Sequence, residues 1–104
     1  MITRKVGAAI AAGCAVVLKP AEDTPLSVLA VTSAKLPAGL LQIITASRDD
    51  AEQVGNELCI NPGVRLIGFT GSTAVGKVSH SLSASRCWIV GSDLNYSLVL
   101  FFVR

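Results

Sequence analysis

Lys19 and Glu22 stand three residues apart in the stretch LKPAED (18–23), just after the β-branched run AVVLK. An ammonium only donates hydrogen bonds and an ionised carboxylate only accepts them. Such a pair at a strand end can grip the two hydroxyls of a ribose, Lys19 donating and Glu22 accepting both protons. A second stretch, FTGSTAVGKVS (69–79), runs from a strand into a helix start. Free backbone N–H groups and the positive end of the helix dipole meet there, which suits a phosphate. Gly71 permits the tight turn, Ser72 can cap the helix and donate its hydroxyl, and Gly76 lets the helix approach its neighbours. This arrangement holds a diphosphate without a metal. Read as G-x-x-x-x-G-K, the same residues are one position from a nucleoside triphosphate loop. However, Val78 stands where Ser or Thr would hold magnesium, and no clear hydrophobic run ending in a magnesium-holding Asp follows. The bland alternatives are a solvated charged turn at 18–23 and a plain strand-to-helix turn at 71–76. Convergence of both stretches on one sheet edge is what would favour a ligand.

Other candidate chemistry is sparse. Cys14, Cys59 and Cys87 are far apart, with no CxxC pair and a single His80, so metal-ligand spacing is absent and buried structural thiols are expected. A net charge of +2 with scattered basic residues gives no nucleic-acid footprint. MITRK followed by VGAAIAAGCAVVL imitates a secretory leader, and AAGC a lipoprotein cleavage site. The apolar run before Cys14 is short and rich in Ala and Gly, whereas Val16, Val17 and Leu18 follow the cysteine, where a lipoprotein turns polar. No run reaches the ~18 apolar residues of a membrane-spanning helix.

The elements that must position these residues alternate regularly. Ile2, Val6 and Ile10 mark a helix over 2–12 that ends at Gly13. AVVLK (15–19) is a buried strand closed by Pro20. Thr24-Pro25 starts a helix carrying Leu26, Leu29 and Ala30, because proline in a first turn loses no hydrogen bond. LLQIIT (40–45) is a second strand. Ser47 and Asp50 form a capping-box variant before a helix with Ala51, Val54 and Leu58 on its inner face. VRLIGFT (64–70) is a third strand, and a last helix includes Lys77. Near-continuous apolar strands alternating with helices predict an α/β fold, part of a doubly wound parallel sheet covered on both faces. Ligands of such sheets sit outside the carboxyl ends of the strands, where Lys19–Glu22 and Thr70–Gly76 both fall. From about Ser79 the chain loses helical period and finishes in LVLFFV, either a terminal strand or an exposed apolar tail. With 51% hydrophobic and 15% charged residues in 104, the chain has more apolar surface than a domain of its size can bury.

MITRKVGAAIAAGC, VVLKPAEDTP, LPAGLLQII and FTGST-VGK together resemble the NAD(P)-dependent aldehyde dehydrogenases, and within them the branch acting on succinate semialdehyde. The likeness covers residues 1–78, read as a partial Rossmann-like NAD-binding domain; 79–104 reads as a divergent apolar tail. The resemblance implies that Lys19, Pro20, Ala21 and Glu22 hold the adenosine ribose. Gly71, Ser72, Thr73, Ala74, Val75 and Gly76 would cradle the pyrophosphate of NAD, with NADP the alternative. Glu22 near the ribose favours NAD by repelling a 2′-phosphate. Arg4 would pair bidentately with the distal carboxylate of the substrate. The family oxidises its aldehyde, here succinate semialdehyde to succinate in 4-aminobutyrate degradation, with a cysteine nucleophile, a glutamate base in an ELGG-like segment and an oxyanion-stabilising asparagine. SASRCWIVGSD does not match that glutamate segment, and Cys87 lies outside the family's cysteine motif. The 104 residues are therefore expected to show no dehydrogenase activity of their own. The helix between Leu29-Ala30 and Leu36-Pro37 is about one turn shorter than the family's. The family's partners are the aldehyde and the dinucleotide, without nucleic acid or membrane, in homo-oligomers of the mitochondrion or cytoplasm. A triphosphate-binding fragment, or a non-catalytic fragment docking on full-length subunits through its sheet edges, is the alternative.

Overall fold

The computed structural model describes residues 2–33, 36–82, 87–91 and 98–103. The first helix, α1 (Ile2–Ala11), stops one residue short of the expected 2–12. Gly13 takes a positive φ of 78°. Its N–H reaches Ile10 O at 2.9 Å, and Cys14 N–H reaches Ala9 O at 3.0 Å. This is a Schellman closure, which spends the last carbonyls of the helix and turns the chain directly into β1 (Ala15–Lys19). The AAGC stretch is thus a helix-to-strand corner. α2 (Pro25–Thr32) begins on its proline and buries Val28, leaving Leu26 and Leu29 exposed. β2 (Leu41–Ile43) is shorter than the apolar run that encodes it. Ser47 accepts the Asp50 N–H at 3.2 Å and gives its own proton to the Asp50 carboxylate at 2.6 Å, a local turn that launches α3 (Ala51–Ile60). An Asn61-Pro62-Gly63 turn follows. Asn61 Oδ1 accepts from Gly63 N–H at 2.8 Å, and Asn61 O accepts from Val64 N–H at 3.1 Å. β3 (Val64–Thr70) has the predicted limits, and α4 (Thr73–Leu82) carries Lys77.

Two more strands, β4 (Cys87–Gly91) and β5 (Leu98–Val103), complete a five-stranded sheet in the order β2-β1-β5-β3-β4. β1 pairs β2 and β3 pairs β4 in parallel, but β5 is antiparallel to both its neighbours. The expectation of a wholly parallel sheet is therefore corrected to a mixed one, and LVLFFV is a central strand rather than an exposed tail. A continuous apolar run suits a central strand of either direction, so composition leaves polarity open. The connection decides it. Only residues 92–97 separate β4 from β5. A parallel return needs a crossover of about a dozen residues, so the chain must come back from the rim it has just reached. The link itself lies outside the described residues, as do Ala34 and Lys35 between α2 and β2, where a shorter helix is expected.

The sheet is covered on both faces, as expected. Val16 and Leu18 pack with Val6 and Ala9 of α1 and Val28 of α2, and Cys14 and Leu66 adjoin this cluster. Ile67, Phe69 and Val64 pack with Cys59 of α3, and Val17 and Leu58 adjoin that one. Val64 joins the second face because the β3–β5 register slips between Val64 and Leu66. Full burial of Leu18, Ile67 and Phe69 contributes about 1.5–3 kcal/mol each.

The two glycines of the first helical segment should respond oppositely to alanine. Gly7 lies inside α1, where an added Cβ meets nothing within 4 Å, so Gly7→Ala should raise stability by about 0.5–1 kcal/mol. Gly13→Ala forces a side chain to the left-handed region and should cost about 1–2 kcal/mol. Urea midpoints of the two variants, taken side by side, check the signs.

Candidate functional site

The rim of the sheet is built by strand ends. β1 stops at Lys19 because Pro20 has no N–H to continue the ladder. Thr24 N–H then closes on Ala21 O at 3.2 Å, folding 20–24 into a tight turn. Lys19 is 2% exposed, yet it carries an ammonium. That charge is held by the Glu22 carboxylate and by Pro20 O at 3.3 Å. Burial alone would raise the Glu22 pKa. The hydrogen bond from Lys19, one from its own backbone N–H, and the charges of Lys19 and Arg48 outweigh it, and the carboxyl sits below its usual range. Arg48 also reaches Asp23 at 3.2 Å in an exposed pair, worth at most about 1 kcal/mol.

β3 ends at the same rim. Lys19 and Phe69 both pair with Val99 of β5, so the ends of β1 and β3 are level and point the same way. Beyond Thr70, Gly71 is buried and Ser72 directly precedes α4: its Oγ lies 3.5 Å from Val75 N, and its carbonyl accepts from Gly76 N–H at 3.0 Å. Ser72 is thus the expected cap, and Thr73 opens the helix. Gly76 faces the Phe69 ring, where an added Cβ would lie 3.3 Å from Cε1. A side chain there would press on the buried ring, so the glycine eases the close approach of α4 to β3.

A cleft of about 420 Å³ lies between α3, α4 and the rim. Of the residues that the resemblance assigns to the cofactor, Lys19, Glu22, Ala74 and Val75 line it. Pro20, Ala21, Gly71 and Gly76 are buried and Ser72 is exposed at the helix start, and these residues do not line it. Arg4 is exposed on the first turn of α1 and does not line the cleft.

Sequence reasoning missed part of the wall. Arg48, Gly55, Asn56 and Ser79 line the cleft as well. Gly55 carried a readable signal: glycine inside a helix costs about 1 kcal/mol against alanine. No close packing at Gly55 requires it, since an added Cβ meets nothing within 4 Å. It leaves that wall of the cleft flat. Cys59 lies at the floor, where burial pushes its thiol pKa up against the opposing effect of a Ser79 hydrogen bond, so it is a poor nucleophile. Lys5 was also missed. Its Nζ donates to Phe69 O at 3.2 Å and to Thr70 Oγ1 at 2.7 Å, tying α1 to the end of β3, and burial lowers its pKa. Its spacing from buried Ala9, one helical turn on, was the available clue. Among the described residues no His, Cys, Asp and Glu cluster could hold a metal, and no helix is long and apolar enough to cross a membrane.

A charged turn and a Ser72-capped helix start thus flank one cleft at the strand ends of an α/β unit. The sequence profile of the aldehyde dehydrogenase family matches residues 1–93, and the chain belongs to that family. It is 58% identical over 98 residues to the mitochondrial succinate-semialdehyde dehydrogenase of Mus musculus, covering 90% of this chain and 19% of that protein. The corresponding human enzyme is 55% identical over 98 residues, covering 90% and 18%. The NADP(+) succinate-semialdehyde dehydrogenase GabD of Escherichia coli is 53% identical over 109 residues, covering 89% and 22%. The chain thus spans about a fifth of the length of these relatives.

The Glu22 pair gives a pH-dependent prediction. The folded pKa lies below the unfolded value of about 4.3, so the stabilisation is complete above that value and is lost as pH falls through the folded one. Glu22→Gln should therefore cost about 1–2 kcal/mol at neutral pH, and the difference should close in acid. Urea unfolding of both proteins across the acid range measures it.

Proposed function

We propose that residues 1–78 form the adenosine and pyrophosphate half of the dinucleotide site of an aldehyde dehydrogenase acting on succinate semialdehyde. The observation that carries this reading is the arrival of the Lys19–Glu22 pair and the Ser72-capped start of α4 at one rim, on either side of a cleft.

The donor set fits. Lys19 has three N–H groups, and two are spent on Glu22 and Pro20, leaving one for a ribose oxygen. One Glu22 oxygen takes the Lys19 proton, and the carboxylate retains lone pairs for both hydroxyl protons of the diol. Its lowered pKa keeps it ionised at neutral pH. The flat wall at Gly55 and the apolar side of Val75 suit a planar base. The N–H groups at the start of α4 would meet the phosphates. When bound, the nicotinamide supplies the hydride acceptor for aldehyde oxidation.

Arg4, exposed on α1, is proposed to receive the distal carboxylate of the substrate. NAD is the cofactor of this reading, because the Glu22 anion opposes a 2′-phosphate. NADP is the alternative, supported by relatives named as NADP(+) enzymes. Relatives named mitochondrial support a mitochondrial home, with the cytoplasm the alternative. Family membership favours the dinucleotide over the triphosphate reading, and Val78 at the magnesium position agrees.

Calorimetric titration of the 104-residue chain with NAD tests the reading, with circular dichroism as the folding control. Binding is expected, and Glu22→Ala should weaken it at least tenfold while ATP with magnesium binds no better than NAD. Incubation with NAD and succinate semialdehyde should yield no NADH, because none of the residues matched to family motifs supplies the nucleophile or the base. Magnesium-dependent ATP binding without NAD binding would overturn the assignment.

A further inference from the structure

The ladder between β1 and β2 closes where Leu18 pairs with Ile43 and Ile44 N–H donates to Leu18 O at 2.9 Å. Beyond that point the two segments part, one into the turn at 20–24, the other towards α3. Side chains join them again: the Arg48 guanidinium donates to Asp23 Oδ1 at 3.2 Å and to Oδ2 at 3.4 Å. Both side chains are exposed, Arg48 at 78% and Asp23 at 71%, so water screens the pair. Its position matters more than its strength. Arg48 lines the cleft together with Glu22, and its charge already favours the ionised Glu22 carboxyl. The Glu22 side chain is only 21% exposed, so a direct pair with it would be screened less than the pair at Asp23. A guanidinium is a rigid fork that can take both oxygens of a carboxylate at once. Closed on Glu22, that fork would consume the lone pairs that the ribose hydroxyls need.

We infer that Asp23 is a positioning residue that holds Arg48 away from Glu22 and so keeps the Glu22 carboxylate open to the ribose. The inference rests on the dinucleotide reading and adds to it a residue that does not line the cleft. Two neighbouring carboxylates thus divide two tasks: Asp23 occupies the arginine, and Glu22 accepts from the ligand. The rival account is a plain brace between two connections. A brace is weakened by losing either partner. A holding group is missed only while the cation it holds is present.

The difference can be measured without a ligand. NMR titration of the Glu22 side-chain carboxyl gives its pKa in the full chain, in Asp23→Asn, in Arg48→Ala and in the double variant. Comparing chains with and without Arg48 gives the drop that the arginine causes. That drop should be larger in the Asp23→Asn background than in the parent, because the freed guanidinium closes on Glu22. A drop that is equal or smaller overturns the inference.

Calorimetric titration with NAD tests the consequence. Asp23→Asn should weaken binding about threefold, the scale of a lightly screened ion pair that must be broken. Adding Arg48→Ala to Asp23→Asn should return most of that loss. Unchanged affinity in Asp23→Asn, or a double variant that binds no better than the single one, overturns the positioning role. A parent chain that takes no NAD refutes the dinucleotide reading and with it the service to the ribose. The NMR comparison still decides whether Asp23 keeps Arg48 off Glu22.

Discussion

A lysine at 2% exposure is the constraint around which the rim is organised. An ammonium removed from water is tolerable only beside a counter-charge with good hydrogen-bond geometry. Glu22 supplies it, and the turn from Pro20 to Thr24 exists in the form that brings Glu22 back over the end of β1. The pair therefore serves the fold and the site by the same contact. It neutralises the buried ammonium, keeps a carboxylate ionised, and places both side chains in the wall of the cleft.

The opposite wall rests on steric economy rather than charge. α4 can lie close to β3 because Gly76 presents no Cβ to the Phe69 ring. Lys5 pins the other face of the same strand end through Thr70 and the Phe69 carbonyl. Both walls thus converge on the last residues of β3, and small changes there would be felt on either side of the cleft. Outside it, Leu26 on α2, Ile60 on α3 and Leu82 on α4 remain exposed. These residues account for part of the apolar excess in the composition, since a unit of this size has too little interior to receive them.

Much of this was legible in the residues. AVVLK and VRLIGFT give strands with the limits read from their sequence, because a short β-branched run bounded by Pro or Gly has few other solutions. Gly13 marks the end of α1 because only glycine takes its φ cheaply. Ser72 announces the α4 cap. What could not be read is long-range. The polarity of LVLFFV and its place between β1 and β3 depend on a connection and on partners far along the chain. Apolar composition is the same for either direction. Gly55 and Lys5 escaped notice for a related reason: each acts through what faces it from another element. Of the residues assigned to the cofactor, those in the cleft are recognisable by charge or by helix position. The buried ones matter through backbone shape.

The antiparallel strand at the middle of the sheet also has a bearing on how the chain reaches this form. Each face has its own apolar cluster, one gathered by α1, β1 and α2, the other by α3 and β3. The two can collapse largely within their own stretches of sequence. Joining them requires Ala15 to meet Val103, far along the chain. Such distant pairing forms slowly, because the entropy of closing a long loop must be met before any ladder bond rewards it. During synthesis, β1 and β3 emerge well before the strand that will lie between them. Their inner edges must wait unpaired or meet each other first, so the order of translation itself favours a transient intermediate.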